Sequence, residues 1–432
     1  MKIKTKELTF EEVMSLPKPE HKKPKRPNWL FRTLVRALSQ GELMATHFKY
    51  TKDLSGDEDG GPYLILMNHS SFIDLKIASA MLYPMPYCIV STTDAMVGKA
   101  WLMRQIGCIP TRKFVSDLSL IKDIKYALKD KKTSVLMFPE AGYTFDGRTT
   151  TLPSNLGGLL KILDVPVLFI ETKGAFAYDP LYNMLQHRKV RVSAHMSCIL
   201  NRRQIKEMSS DELNAAIQKA FSFDQFAWQF DKKIEIKESF RADGLERVLY
   251  KCPSCGSETH MKGKGIHITC TACGKSYELT PLGKLKATEG DTEFDHIPDW
   301  YSWQRKCVRQ ELEDGTYRMA FDVRIGCMVN EKALYMVGDG RLMHDENGFH
   351  LTGCDNALHY EQSPISSHSL NADYFWYEIG DVIGIGSRDC LYYCFPQTEG
   401  SVTKTRLATE ELFKIKMSQK RVSPGRKAAP DT

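Results

Sequence analysis

The sequence predicts an α/β domain with a mixed sheet, then a small cysteine-bearing segment, then a mostly β C-terminal domain. Three observations predict it. Short apolar runs alternate with amphipathic stretches across residues 29–246. Two C-x-x-C pairs lie in a Gly-rich stretch, about 248–285. Beyond residue 297, short alternating runs are broken by Gly, Asn and Asp. A chain of 432 residues has room for two or three cores, and 42% hydrophobic with 26% charged residues is ordinary for a folded protein. The boundaries expected are a basic N-terminal segment 1–28, the α/β domain 29–246, a ribbon 247–285, a linker 286–296, the mostly β domain with flanking helices 297–420, and a disordered tail 421–432.

The first residues are too acidic and polar for a secretory signal, and no apolar run approaches the ~20 residues that span a bilayer. A cytoplasmic protein is expected. The net charge of +6 is mild, but its placement is uneven. Lys22, Lys23, Lys25, Arg26, Arg32 and Arg36 crowd against a single acid, and Trp29, Leu30, Phe31, Leu34, Val35 and Leu38 share one side of a helix. Such a face suits peripheral attachment to the cytosolic side of a membrane, at ~1 kcal/mol per cation. Packing on the α/β core explains it equally well.

Within the α/β region, strands are expected at 62–68, 87–91, 133–138, 165–171 and 189–195. Ser71 caps a helical stretch, and Leu118, Ile121, Ile124 and Leu128 stand at helical spacing. Cys88, Cys108 and Cys198 read as small core residues. Further on, 297–313 is a helix with Pro298 in its first turn, followed by five short strands and a helix at 408–419. That order is similar to a pleckstrin-homology-like domain. Tyr374-Phe375-Trp376-Tyr377 is either a sugar or lipid platform or a core strand.

Asn68-His69-Ser70-Ser71-Phe72-Ile73-Asp74 sets a His just after a strand and an Asp at the start of a helix. A carboxylate on one ring nitrogen fixes the tautomer and leaves the other nitrogen free to take a proton. Phe138-Pro139-Glu140-Ala141-Gly142 comes after another strand, where a carboxylate and a Gly-containing turn can bind hydroxyls. Between them, Arg112 and Lys113 are cations able to hold a phosphate. Pro166 opens a later strand.

Four blocks in this order resemble the glycerol-3-phosphate and 1-acylglycerol-3-phosphate acyltransferase family, whose patterns are N-H-x-x-x-x-D, G-x-x-x-x-x-R, F-P-E-G-T-R and a V-P-V-type strand. The resemblance covers residues 63–172. It implies His69 as general base, Asp74 as its orienting partner, Arg112 on a phosphate, Glu140 and Gly142 on the glycerol backbone, and Pro166 beside the acyl donor. Two departures stand out. The third block reads E-A-G-Y-T, with its Gly displaced by one and its Arg missing, for which Arg148 is a candidate substitute. In the second block the Arg falls one residue early and Lys113 takes its usual position.

Cys252, Cys255, Cys270 and Cys273 form two knuckles, each followed by a Gly that permits the tight turn. Four thiolates favour a structural Zn²⁺ with no open position; a redox pair or two unrelated pairs are the alternatives. Lys262, Lys264 and Lys275 are a thin basic complement, which argues against nucleic acid.

The expectation is acyl transfer from acyl-CoA or acyl carrier protein to a lysophosphatidic-acid-like acceptor in phospholipid synthesis. One alternative changes the acceptor to another lipid or amphipathic alcohol. Another makes the chain a zinc-ribbon scaffold that binds nucleic acid or protein.

Overall fold

The structure, a computed structural model, describes residues 2–58, 60–115, 117–397 and 401–422. Seven strands form the first sheet, in the order Lys49–Asp53, Ser193–Leu200, Val167–Lys173, Leu64–Met67, Ser134–Met137, Tyr87–Thr92 and Cys108–Thr111. All neighbours run parallel except Val167–Lys173 against Ser193–Leu200, so the sheet is mixed as expected. The central strand Leu64–Met67 is apolar and buried throughout because both its faces are covered. Leu64 and Leu66 pack with Leu160, Leu213 and Ile217 on one side; Ile65 and Met67 pack with Ile77 and Met81 on the other.

Observed strands begin or end within two residues of four of the expected runs. The fifth, expected at 189–195, is Ser193–Leu200. Val190 and Val192 supply the apolar alternation that pointed upstream, but they are buried against loops: Val192 exchanges backbone hydrogen bonds with Thr46 and Lys49. The helix expected from Ser71 begins at Asp74; the Ser71 hydroxyl accepts the Ile73 N–H in the turn before it.

A four-stranded antiparallel sheet spans Met261–Lys264, His267–Cys270, Ser276–Leu279 and Leu285–Ala287. Helix Ile297–Glu313 matches its expected span, with Pro298 in the first turn. The last sheet holds two antiparallel meanders. Met319–Met328, Leu334–Asp345, Gly348–Gly353 and Leu358–Gln362 form one; Asn371–Trp376, Gly380–Gly386 and Leu391–Pro396 form the other. Met319–Met328 pairs with Leu391–Pro396 to join them, and helix Ser401–Val422 comes next. From residue 423 on, the expected tail lies outside the described residues.

The N-terminal segment departs from the sequence reading. Thr5–Glu7, within the stretch taken as a separate N-terminal segment, pairs in parallel with Leu334–Met336 and completes the C-terminal sheet. Its three residues are polar and too few to show a period. Of the two readings of the aromatic run, the core strand is the one observed: Tyr374 and Trp376 are buried, stacked on Phe145 at 4.2 Å and Tyr393 at 4.6 Å. An edge strand turned into a shared core explains them.

The three regions share one hydrophobic cluster. Phe145 and Phe176 from the first meet Tyr250, Cys252, Ile268 and Tyr277 around the cysteine pairs, then Trp300, Tyr374 and Leu407 beyond. Trp300 donates its indole N–H to the Lys251 carbonyl at 2.9 Å, as a buried indole requires. At the same seam Arg406 is buried, pairs with Glu410, and lies 4.4 Å from the Phe145 ring centre. Burial raises the Glu410 carboxyl, but Arg305 and Arg406 outweigh it and hold the pKa at about 2.

His344 is buried, with Nδ1 2.9 Å from the Tyr317 hydroxyl and its ring stacked on Phe349. Burial, helped by the charge of His350, pushes its pKa down to about 3. An unfolded histidine titrates near ~6.5. Between those values only the unfolded chain binds the proton, so stability falls as pH drops through that window. At pH 4 the loss from this one group is on the order of 3 kcal/mol. Urea unfolding at pH 7 and pH 4 checks this: the stability difference between the two should shrink by about that amount in His344→Gln. An unchanged difference rejects it.

Candidate active site

Because five of the strands run parallel, their C-terminal ends lie along one edge, and the motif residues sit just beyond those ends. His69 and Asp74 come after Leu64–Met67; Asp94 after Tyr87–Thr92; Arg112 and Lys113 after Cys108–Thr111; Glu140 after Ser134–Met137. Asn68 fixes the first of these ends. Its side-chain carbonyl accepts the Thr172 N–H at 2.8 Å, and its amide donates to Ser70 and Thr172 hydroxyls.

His69 Nδ1 lies 3.2 Å from Asp74 Oδ2. The same oxygen accepts the Ser70 and Ser71 N–H groups at 2.7 and 3.0 Å, so the turn that brings Asp74 back to the ring is held by the carboxylate itself. Phe138 and Tyr143 enclose the imidazole, with ring centres 4.1 and 4.0 Å away. Its side chain is left 15% exposed. Burial lowers the His69 pKa; the Asp74 contact raises it, the nearby Lys113 charge lowers it, and the net shift is downward. At neutral pH the ring is therefore a neutral base.

Glu140 has a different place from the one its motif suggested. Only 1% exposed, it accepts the His69 N–H on Oε1 at 3.0 Å and the Thr150 N–H on Oε2 at 2.8 Å. Both carboxylate oxygens hold backbone, so the carboxylate is a clamp and not a hydroxyl binder. Burial pushes its pKa up to about 7 even though those two N–H groups pull it down. The Thr144 N–H donates to the His69 carbonyl at 3.1 Å, so both backbone polar groups of His69 are anchored in the third block.

The turn after Glu140 corrects the reading of that block. Its left-handed residue is Ala141, with φ of 53°, and not Gly142. Ala141 therefore stands where the family pattern has Gly, at a conformational cost of roughly 1–2 kcal/mol, and Tyr143 stands where it has Arg. Arg148 does not replace that Arg. Its guanidinium donates to the Pro298 carbonyl and the Ser302 hydroxyl and sits 3.7 Å from Asp299, clamping helix Ile297–Glu313.

Lys113 is brought to the site: its charge acts on His69, and its Nζ is 3.9 Å from Asp373 Oδ2. The Arg112 charge is felt by Asp117, Asp389 and Tyr393. Pro166 is not brought to the site. Its carbonyl accepts the Leu64 N–H at the N-terminal end of the strand, about five residue rises or ~16 Å from His69. A parallel pair places that proline at the opposite sheet edge. Sequence reasoning missed the Phe138 and Tyr143 enclosure, Asp373, and Arg406, which donates to the Tyr143 carbonyl at 3.2 Å. A bulky aromatic at a position patterned for Arg was the available signal.

The four motif thiols fall together, all ligand atoms within 4.8 Å of one another. Cys252 to Cys273 and Cys255 to Cys270 are each 3.8 Å. A tetrahedron with Zn–S of about 2.3 Å has edges of about 3.8 Å, so the set fits such an ion. Gly256 and Gly274 take φ of 73° and 79° and donate to the Cys252 and Cys270 carbonyls, the tight turns that aim each pair. This four-cysteine group could hold a metal ion.

Residues 46–170 match the acyltransferase family, which identifies this part of the chain as an acyltransferase domain. No curated protein matches the chain. Among solved structures, the 1-acyl-sn-glycerophosphate (LPA) acyltransferase PlsC from Thermotoga maritima is similar at 14% identity and a TM-score of 0.33, over 44% of this chain and 76% of that one.

Cys252→Ser is expected to remove about one zinc ion per chain, measured by emission spectrometry, and to lower the melting temperature by about 10 °C or more. Full metal content in that variant would refute the four-thiolate site.

Proposed function

We propose that this chain is an O-acyltransferase that moves a fatty acyl group from acyl-CoA or acyl carrier protein to the hydroxyl of a lysophospholipid-like acceptor. The observation that carries this is the His69 ring: neutral, enclosed by Phe138 and Tyr143, and oriented by Asp74 through Nδ1. Nδ1 donates to Asp74, so Nε2 is the acceptor. The acceptor hydroxyl gives its proton to Nε2 as its oxygen bonds to the thioester carbonyl carbon. The tetrahedral intermediate then expels the thiolate, which takes that proton back from Nε2. Such a base contributes roughly 10²–10⁴-fold.

A lysophosphatidic-acid-like acceptor is suggested by the order of the motifs, with Lys113 near its phosphate. A different lipid alcohol is the second reading. It is favoured by Tyr143 at the patterned Arg position and by Asp373 beside Lys113. Zinc in the four-cysteine group is structural, since four thiolates leave no open position.

Attachment to a membrane surface is part of the proposal. Helix Trp29–Ala45 leaves Trp29 68%, Leu34 49% and Leu38 74% exposed, and Trp101 lies beside Phe31 with its own ring exposed. Among the described residues no helix is long and apolar enough to cross a membrane. A face of this kind binds a bilayer interface in its plane. Leu34→Glu with Leu38→Glu should weaken cosedimentation with phosphatidylglycerol vesicles by about tenfold or more; unchanged cosedimentation would count against the membrane face.

Acyl transfer by the purified protein tests the chemistry, with lysophosphatidic acid and other lysolipids as acceptors and both donors. In His69→Ala, kcat/KM should fall by about 10²-fold or more. Because burial lowers the His69 pKa, the base form persists on acidification, and the acid limb of kcat/KM should lie below the ~6.5 of an ordinary histidine. Activity equal to wild type in His69→Ala would sink the mechanism.

A further inference from the structure

The charge around His69 is unusual for a site that takes a phosphate monoester. Such a group carries ≈ −1.5 to −2 at neutral pH and calls for converging cations. Here the patterned Arg of the third block is Tyr143, and Arg148 is committed to helix Ile297–Glu313. Arg406 is buried and paired with Glu410. Arg112 has its charge felt by Asp117, Asp389 and Tyr393. Lys113 is the motif cation that reaches His69, and it is already opposed by Asp373, 3.9 Å away.

Asp373 comes from strand Asn371–Trp376 of the C-terminal sheet, outside the acyltransferase motifs. It is 7% exposed, and its Oδ1 has no hydrogen-bond partner. Asp94, at the end of a parallel strand of the first sheet, is 6% exposed with its Oδ1 in the same condition. The Asp94 charge acts on Asp373, both act on Tyr377, and Asp373 also acts on Tyr143, whose ring is tilted 35° against His69. Beside Lys113 a small crevice opens between Phe114 and Val115 on one side and Ser369 to Asn371 on the other. Buried carboxylate oxygens are stable only when they accept hydrogen bonds or face a cation. A dianionic phosphate offers repulsion here, whereas hydroxyls offer donors.

We propose that Asp373 is a specificity-determining residue of the acceptor site, selecting a lysolipid whose headgroup ends in hydroxyls and carries at most one negative charge, over a phosphate monoester. Lys113 meets the single phosphodiester charge, and Asp373 and Asp94 accept from the headgroup hydroxyls. The inference rests on the reading of His69 as the base of acyl transfer to a lysolipid, and it names the acceptor class for that site. Asp373 does not touch the reacting atoms; it acts on which acceptor is held.

The test compares lysophosphatidic acid, lysophosphatidylglycerol and monoacylglycerol as acceptors for the full-length protein, with equilibrium binding of the two anionic lipids measured by calorimetry below their micellar concentrations. Wild type should favour lysophosphatidylglycerol over lysophosphatidic acid in kcat/KM. Asp373→Asn should shift that ratio toward lysophosphatidic acid by about tenfold or more, mainly through KM, with binding shifting in the same sense. Lys113→Gln should lower kcat/KM for both anions by about tenfold or more relative to monoacylglycerol, which keeps the idea testable if Asp373→Asn does not fold. A wild-type preference for lysophosphatidic acid, a ratio that moves less than about twofold in Asp373→Asn, or equal or absent binding of both lipids overturns the proposal. Selective binding with no transfer to any acceptor would instead defeat the acyltransfer reading and leave the Asp373 selectivity standing.

Discussion

The site depends on one carboxylate that never meets solvent. Glu140 joins the N–H of His69 to the N–H of Thr150, and so ties the loop after one central strand to the loop after its neighbour. Each of these hydrogen bonds satisfies a buried backbone N–H, and leaving a buried polar group without its partner costs about 1–3 kcal/mol, so the group is intolerant of losing either. From that anchor the neighbours fix the rest of His69: Thr144 holds its carbonyl, Asp74 its Nδ1, and Phe138 and Tyr143 its faces. A ring fixed by its own backbone and by its neighbours has little orientational freedom left to lose.

The second tier of support comes from outside the first sheet. Arg406 reaches from the last helix to the Tyr143 carbonyl, and Tyr374 stacks on Phe145 two residues further on. The ribbon lies between these contributions. Its Cys252 and Ile268 share a core with Phe145 and Trp300, so it acts as packing between two sheets more than as a spacer. Unfolding of the four-cysteine group would be felt at the His69 loop through that core.

Much of this was legible in the sequence, and the failures have physical causes. The central strands are buried on both faces and therefore apolar without interruption, which made Leu64–Met67 and Ser134–Met137 readable. Helix Ile297–Glu313 carried Pro in its first turn, and its span was read directly. The His69–Asp74 pair and the four thiols were found because their spacing is local. Gly380–Gly386 was missed because its glycines break the alternation; Gly384 lies so close to the Asn371 side chain that a Cβ would approach its Nδ2 to 2.4 Å. Glu140, Arg148 and Asp373 could not be assigned from their motifs, since each role depends on a partner far away in the chain. A carboxylate after a strand looks the same in sequence whether it faces a ligand or a backbone amide.

Thr5–Glu7 fills the part of Leu334–Asp345 that Gly348–Gly353 leaves unpaired, because the latter covers only Gly340 to Asp345. During synthesis this strand is made before its partner, which follows roughly 330 residues later, tens of seconds at ~5–20 residues per second. For that interval the growing chain carries a short unpaired strand and, after it, the exposed apolar helix Trp29–Ala45. The C-terminal sheet is therefore finished by a strand made long before the rest of it, and its closure is a long-range event.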